Sequence, residues 1–208
     1  MRTFVEYIQE KLDPKSNTLH VFDLDETLFK HDHDKLKIHV KDSTGKRVAS
    51  LTNTEYNTHK LSPGHSYDYS EFRSSDTFNK SAHPIRKMIA KMNAIHNNNK
   101  NVEILTARTD LDNKDKFKKK MGSHGIDIDK IHVRRAGNLN MPAPEAKKHI
   151  LSGLIKKEGY NKIHMYDDSK ANIDSVLSLK QDHPHVEIHG HHVIHNDDGT
   201  VGIKTYKA

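Results

Sequence analysis

Thr18-Leu19-His20-Val21-Phe22-Asp23-Leu24-Asp25-Glu26-Thr27 is the stretch on which the fold of this chain turns. Residues 18–24 are largely β-prone, and the run ends in acidic residues. A parallel strand buried on both faces has this look when its C-terminal end carries a site. Two carboxylates at i and i+2, leaving a strand for a loop, can point the same way once the pleat is broken. The same spacing also suits a plainer role, with Asp23 and Asp25 in an Asx turn or helix cap and Thr27 as the cap. The rest of the chain separates the two.

Beyond Pro84 the pattern alternates. Helices are expected at Ile85 to His96, Asp112 to Met121, Pro144 to Glu158 and Asn172 to Leu179, with Gly122, Gly125 and Gly159 as helix stops. Strands are expected at Val102 to Thr106, Lys130 to Val133 and Lys162 to Tyr166. Such alternation implies an α/β fold, a Rossmann-like parallel sheet flanked by helices. In such sheets ligands sit beyond the carboxyl ends of the strands, where strand order reverses. One strand runs into Asp23-Leu24-Asp25, a second into Thr106-Ala107-Arg108 and a third into Asp167-Asp168-Ser169, so three strands deliver acidic or phosphate-binding groups to one edge. Hard oxygen ligands gathered in this way select magnesium. Without a cation or a basic partner, clustered carboxylates raise one another's pKa.

The expected organisation is a core from residues 1–30 and 84–180, an inserted cap at 31–83 and a C-terminal β extension at 181–208 packed on the core. Phe4, Val5, Ile8 and Leu12 fall on one face of a short N-terminal helix that Asp13-Pro14 ends. Within the insertion, Leu36 to Val40 and Arg47 to Leu51 flank the turn signal Asp42-Ser43-Thr44-Gly45. Next comes a polar stretch with Tyr56, Tyr67, Tyr69, Phe72 and Phe78, too long for an idle loop. Val186 to Tyr206 holds two β-prone runs around Asn196-Asp197-Asp198-Gly199, a hairpin at a sheet edge.

Composition narrows the chemistry. The 208 residues are 33% hydrophobic and 30% charged, enough for one main core. Zero cysteines exclude disulfides, thiolate metal sites and thiol nucleophiles. There is neither an apolar run of about 18 residues nor a secretory signal, so an intracellular, cytoplasmic protein without membrane contact is expected. A net charge of +6 fits an anionic partner, and nothing points to an obligate protein partner.

Taken together, Phe22-Asp23-Leu24-Asp25-Glu26-Thr27-Leu28, Ile104-Leu105-Thr106-Ala107-Arg108 and Tyr166-Asp167-Asp168-Ser169 resemble the first, second and fourth motifs of the haloacid dehalogenase-like phosphohydrolases. The third motif is a single lysine, for which Lys147 is the choice, with Lys148 its neighbour and Lys130 a poorer candidate. The resemblance implies that Asp23 attacks phosphorus to form an aspartyl-phosphate, which water then hydrolyses. It implies that Asp25 first protonates the leaving oxygen and later deprotonates the water. Magnesium would be held by the Asp23 carboxylate, the main-chain carbonyl of Asp25 and the Asp168 carboxylate. Thr106 would hydrogen-bond the phosphoryl group, and Lys147 would neutralise it while pairing with Asp167. Glu26 stands where many relatives carry glycine.

The segments around Ile104–Arg108 and Ile131–Arg135 also look like the phosphatase half of polynucleotide kinase/phosphatase enzymes. Thr27, Arg108, Arg134 and Arg135 are therefore candidate substrate-binding residues, and a nucleotide or nucleic acid end is the expected substrate. No Gly-x-x-x-x-Gly-Lys-Ser/Thr loop occurs, so a kinase half is absent. Rival expectations are a silent phosphate-binding module, a phosphatase of sugar or metabolite phosphates, and a metal-handling protein built on the C-terminal histidines. The run Lys114, Lys116, Lys118, Lys119 and Lys120 reads as a solvated helix face before it reads as a nucleic acid track.

Overall fold

The computed structural model of the protein describes residues 17–32, 35–98 and 100–208, so the expected helix at residues 3–12 lies outside the described residues. Strand β1 (Thr18–Phe22) sits centrally in a six-stranded sheet, between β7 (Asn101–Thr106) and β9 (Lys162–Asp167), both parallel to it. Beyond β7 lies β8 (His132–Arg135), and beyond β9 lie β10 (Glu187–His195) and β11 (Val201–Lys207). Only β11 is antiparallel to its neighbour. The chain therefore builds outward from β1 on one side, returns, and builds outward on the other. The strand order reverses between β1 and β9, the position at which ligands bind in open α/β sheets.

Each face of the sheet is covered. Phe22 and Ile104 meet Met88 and Met92 of α4 (Arg86–Asn97) and Phe117 and Met121 of α5 (Lys114–Ser123). On the other face, Leu19, Val21 and Met165 meet Leu151 and Leu154 of α6 (Ala143–Glu158) and Ile173 and Val176 of α7 (Lys170–Leu177). Burying such a side chain contributes about 1.5 to 3 kcal/mol over leaving it in water. Helix α6 ends where Gly159 turns left-handed, at φ +69°, and its N–H closes on the Ile155 carbonyl.

Capping side chains move two helix starts from their expected places. Asn113 accepts a hydrogen bond from the Lys116 N–H, so α5 begins at Lys114. Ser169 accepts from the Asn172 N–H, which starts α7 at Lys170, and α7 stops at Leu177 before a separate turn, α8 (Leu179–Asp182).

Between β1 and α4, strand β2 (Phe29–His31) pairs antiparallel with β6 (Ala82–Pro84), joining the two ends of the intervening segment. That segment carries a second sheet in which β3 (Ile38–Lys41) lies between β4 (Arg47–Leu51) and β5 (Ser66–Asp68). The turn joining β3 to β4 is closed by Asp42, whose carboxylate accepts from the Thr44 and Lys46 N–H groups. The polar stretch that follows is ordered: it forms α1 (Asn53–Thr58), α2 (Ser70–Arg73) and α3 (Ser75–Ser81).

Candidate functional site

Asp23 follows β1 at the sheet's reversal point, and its N–H still reaches the Tyr166 carbonyl of β9 at 2.8 Å. The chain then folds back on itself: the Leu28 and Phe29 N–H groups both donate to the Leu24 carbonyl. To make this turn Glu26 adopts φ +57°, a left-handed conformation that glycine takes without the Cβ penalty. At the end of β9, Asp167 is fully buried and its oxygens accept from the Ser169 N–H and the Asn172 side-chain amide.

Lys147 joins these two loops. On α6 it shares the inward stripe with Leu151, Leu154 and Ile155, at i+4, i+7 and i+8, but it sits in the first turns and so reaches the sheet edge. Its ammonium is buried and lies 2.6 Å from Asp23 Oδ1 and 2.7 Å from Asp167 Oδ2. Burial alone would lower the Lys147 pKa, but the Asp167 and Asp23 carboxylates overcome this and hold it above its ordinary value. Lys148 instead pairs with Asp182 at the surface and Lys130 with Asp127, so of the three candidate lysines only Lys147 stands at this edge.

Carboxylate oxygens of Asp23, Asp167 and Asp168 all lie within 4.8 Å of one another, the only cluster of its kind among the described residues. Burial, joined by repulsion from Asp167 and Asp25, pushes Asp23 up to about 8 despite Lys147. Asp168 is likewise raised by burial and by Asp167 and Asp23. One buried ammonium does not balance three carboxylates. The donor set therefore fits a hard divalent cation such as magnesium, whose charge would restore ionisation.

Asp25 is not one of these three. Its carboxylate is gripped by Arg108, from Nε at 3.0 and 2.9 Å and from Nη2 at 2.7 Å. His31 Nε2 lies 2.6 Å from the same carboxylate. Burial would raise the Asp25 pKa, yet Arg108 and His31 together hold it far below the ordinary range. The carboxylate is thus ionised, so it holds no proton for a leaving group, and the same clamp makes it a weak proton acceptor. As a metal ligand its side chain is already spent, so only its main chain remains for that role.

Thr106, fully buried at the end of β7, has its hydroxyl 3.4 Å from Asp25 and accepts from the Arg108 N–H at 3.1 Å. Arg108 lies against the rings of Phe72 and Phe78 and donates to the Phe72 carbonyl, which ties the segment between β2 and β6 to the site. Phe72 thus holds Arg108, while Phe78 is core and Tyr56, Tyr67 and Tyr69 pack on one another.

Of the expected arginines, Arg134 is not at the site. It pairs with Glu103 on the α6 face of the sheet, because alternation along β8 turns it opposite to Arg135. Arg135, level with Thr106, lies over the Phe117 ring, feels the charges of Asp110, Arg108 and Asp25, and has no hydrogen bond to its buried Nη1. Thr27 is fully buried and its hydroxyl has no partner, so it is a loop residue out of reach of a substrate. In the basic helix α5, Lys116 pairs with Asp76 and Lys118 with Asp129, so these lysines serve the surface.

His31 and Asn172 were not expected here. Asn172 carries a weak signal, standing one turn into a helix that follows the acidic pair; His31 carries none, since it is the turn over residues 24–29 that folds it back to Asp25. No protein-family model matches the chain, and none of the curated proteins compared with it matches either. No helix among the described residues is long and apolar enough to cross a membrane.

Proposed function

We propose that the protein is a magnesium-dependent phosphomonoesterase of the haloacid dehalogenase-like kind, acting through an aspartyl-phosphate on Asp23. The observation that carries this is the meeting of Asp23, Asp167 and Asp168 around the buried Lys147 at the point where strand order reverses. Asp23, Asp168 and the Asp25 carbonyl would hold magnesium, which would supply positive charge that keeps the carboxylates ionised and offsets the charge of a phosphoryl group. Asp23 attacks phosphorus through its free oxygen as the P–O bond to the leaving group breaks, and the leaving oxygen takes its proton from water because Asp25 holds none. Thr106 and Lys147 donate to the phosphoryl oxygens; losing one such donor costs about 10² to 10³ in rate. Water then attacks phosphorus, Asp25 accepts its proton and passes it to solvent, and the bond between Asp23 and phosphorus breaks to free inorganic phosphate.

A nucleotide or nucleic acid end is the proposed substrate class, supported by the net charge of +6 and by Arg135, a guanidinium with unused donors beside the site. A second reading has its own support: because Asp25 is ionised and clamped, the same pocket suits a module that binds phosphate without turning it over. One experiment separates them. Phosphate release from 3′- and 5′-phosphorylated oligonucleotides, mononucleotides and sugar phosphates is measured with magnesium or EDTA, for wild type and Asp23→Asn. Metal-dependent release lost in Asp23→Asn supports the enzyme; binding without release supports the module, and a preference for sugar phosphates replaces the substrate class.

A further inference from the structure

Strand β10 is longer than the strand beside it. His192 stands level with Asp167, the last residue of β9, and β10 continues to His195. At about 3.3 Å per residue the overhang rises roughly 10 Å past the end of β9, into the level of the acidic loops. Two histidines, His192 at the base of this overhang and His195 at its end, touch those loops. His192 Nε2 lies 2.8 Å from the main-chain carbonyl of Asp168, and His195 Nε2 lies 2.6 Å from that of Glu26. A carbonyl only accepts, so each histidine is the donor and each ring carries its proton on Nε2.

The two carbonyls belong to different loops of the same site. Asp168 is a carboxylate of the three-acid cluster, and Glu26 is the left-handed residue that follows Asp25. Glu26 occupies a conformation that other residues avoid, so it persists only where surrounding contacts hold it. Its carboxylate accepts from the His31 N–H at 2.9 Å and lies 3.8 Å from His195, so contacts from two strands hold this turn. The strand itself is firmly seated. A Cβ on Gly190 would come within 2.6 Å of the Ile173 side chain, so only glycine lets β10 lie this close to α7, the helix that starts just after Asp168.

We infer that His192 and His195 are positioning residues of the site, setting from the C-terminal strand pair the distance between the loop that carries Asp23 and Asp25 and the loop that carries Asp168. They touch neither substrate nor metal. Their effect passes through the main chain, as partners outside a metal's own ligands commonly act. This rests on the function proposed above, since it assigns the histidines to the cation site of that reaction.

The test compares His192→Leu and His195→Leu, which lose the donor, with His192→Gln and His195→Gln, whose amide N–H stands the same number of bonds from the backbone. Magnesium binding is measured by calorimetry and phosphate release is followed in parallel. Each leucine variant is expected to weaken magnesium binding by about 10-fold to 100-fold, with the glutamine variants within about threefold of wild type. Leucine variants that bind magnesium like wild type, or glutamine variants as weak as leucine, would overturn the inference. If wild type binds magnesium without releasing phosphate, the enzymatic reading fails while the binding constants still decide the histidines. If it binds no magnesium, amide hydrogen exchange at residues 26–28 and 168–170 decides instead. Faster exchange in the leucine variants, at unchanged global stability, supports positioning; unchanged exchange refutes it.

Discussion

Arg108 closes on Asp25 in a fork, with Nε within 3.0 Å of both carboxylate oxygens and Nη2 2.7 Å from one of them. The guanidinium is almost wholly buried, and it is fixed from behind by the Phe72 carbonyl and the Phe72 and Phe78 rings. A pair of this kind sets the protonation state of the acid through geometry. It also makes the acid depend on the segment between β2 and β6, because that segment supplies Phe72, Phe78 and, through β2, His31.

Removing the clamp should therefore move a pH profile. In wild type Asp25 stays ionised at every working pH, so the acidic fall in kcat/KM belongs to other groups. In Arg108→Ala, burial is opposed by His31 alone and the Asp25 pKa rises, which shifts the acidic limb to higher pH. Leaving this partly buried carboxylate with His31 alone also lowers stability. Rates on nitrophenyl phosphate from pH 4 to 8, with thermal unfolding alongside, test both effects. An unmoved acidic limb would show that Asp25 is not the base.

Magnesium should stabilise the fold, and more so at higher pH. Without metal, Asp23 is raised to about 8 and Asp168 is raised as well, so the folded chain holds protons that the unfolded chain has already lost. The sign follows: metal-free stability from these groups is fully present below the ordinary carboxylate range and declines as pH rises towards about 8. Binding expels those protons, so apparent magnesium affinity should rise over the same interval. At 100 times its dissociation constant magnesium adds about 2.7 kcal/mol. Asp168→Asn should abolish that gain, and thermal unfolding with magnesium and with EDTA at pH 6 and 8 is the measurement.

Two adjacent arginines should behave differently. Arg134→Ala breaks the pair with Glu103 on the opposite face of the sheet from Arg135 and should lower stability with KM unchanged. Arg135→Ala removes a guanidinium that has no hydrogen bond to its buried Nη1, so stability should hold, whereas KM for a phosphorylated oligonucleotide should rise by about tenfold, as for a lost charge-assisted contact worth roughly 1.4 kcal/mol. Initial rates against substrate concentration at two salt concentrations decide it. Equal KM values for the two variants would remove Arg135 from the substrate site.

The sequence makes the residues at strand ends legible and hides those placed by pairing. Asp23, Thr106, Asp167 and Asp168 each follow directly on an apolar β-prone run, so their positions at one edge come with the fold class. Lys147 is legible only through the family resemblance, as a lysine at the head of the helix before the third acidic strand end, and its choice over Lys148 follows from its place on the inward face of α6. Arg134 shows the limit: being next to Arg135 in sequence, it points to the other face, and a strand's two-residue period separates them once its register is known. Asp25 shows another, since its clamp depends on where Arg108 and His31 fold back. Glu26 is legible as an oddity only, and the physical reason, its left-handed φ, requires coordinates.

The histidines of the sheet yield the last prediction. His20, His164 and His189 are level across β1, β9 and β10, and His191 stands two residues further along β10, level with Tyr166. Their rings stack: His20 on His164 at 4.6 Å, His164 on His191 at 5.2 Å, and His191 on Tyr166 at 4.3 Å. His164 Nδ1 and His191 Nε2 are 2.9 Å apart, a hydrogen bond that needs one of the two nitrogens bare. Burial, aided by the neighbouring lysines and histidines, lowers His20 to about 4, His164 to about 3 and His191 to about 4. Unfolded histidines bind protons near 6.5, so the stability these residues give is present above that pH and is lost as pH falls towards 4 and 3. Urea midpoints at pH 7, 5.5 and 4.5 should fall in that order. His191→Phe keeps a ring on Tyr166 but neither titrates nor bonds His164, so its midpoint should fall less steeply between pH 7 and 4.5. Parallel slopes for wild type and variant would mean that acid unfolds the protein through other groups.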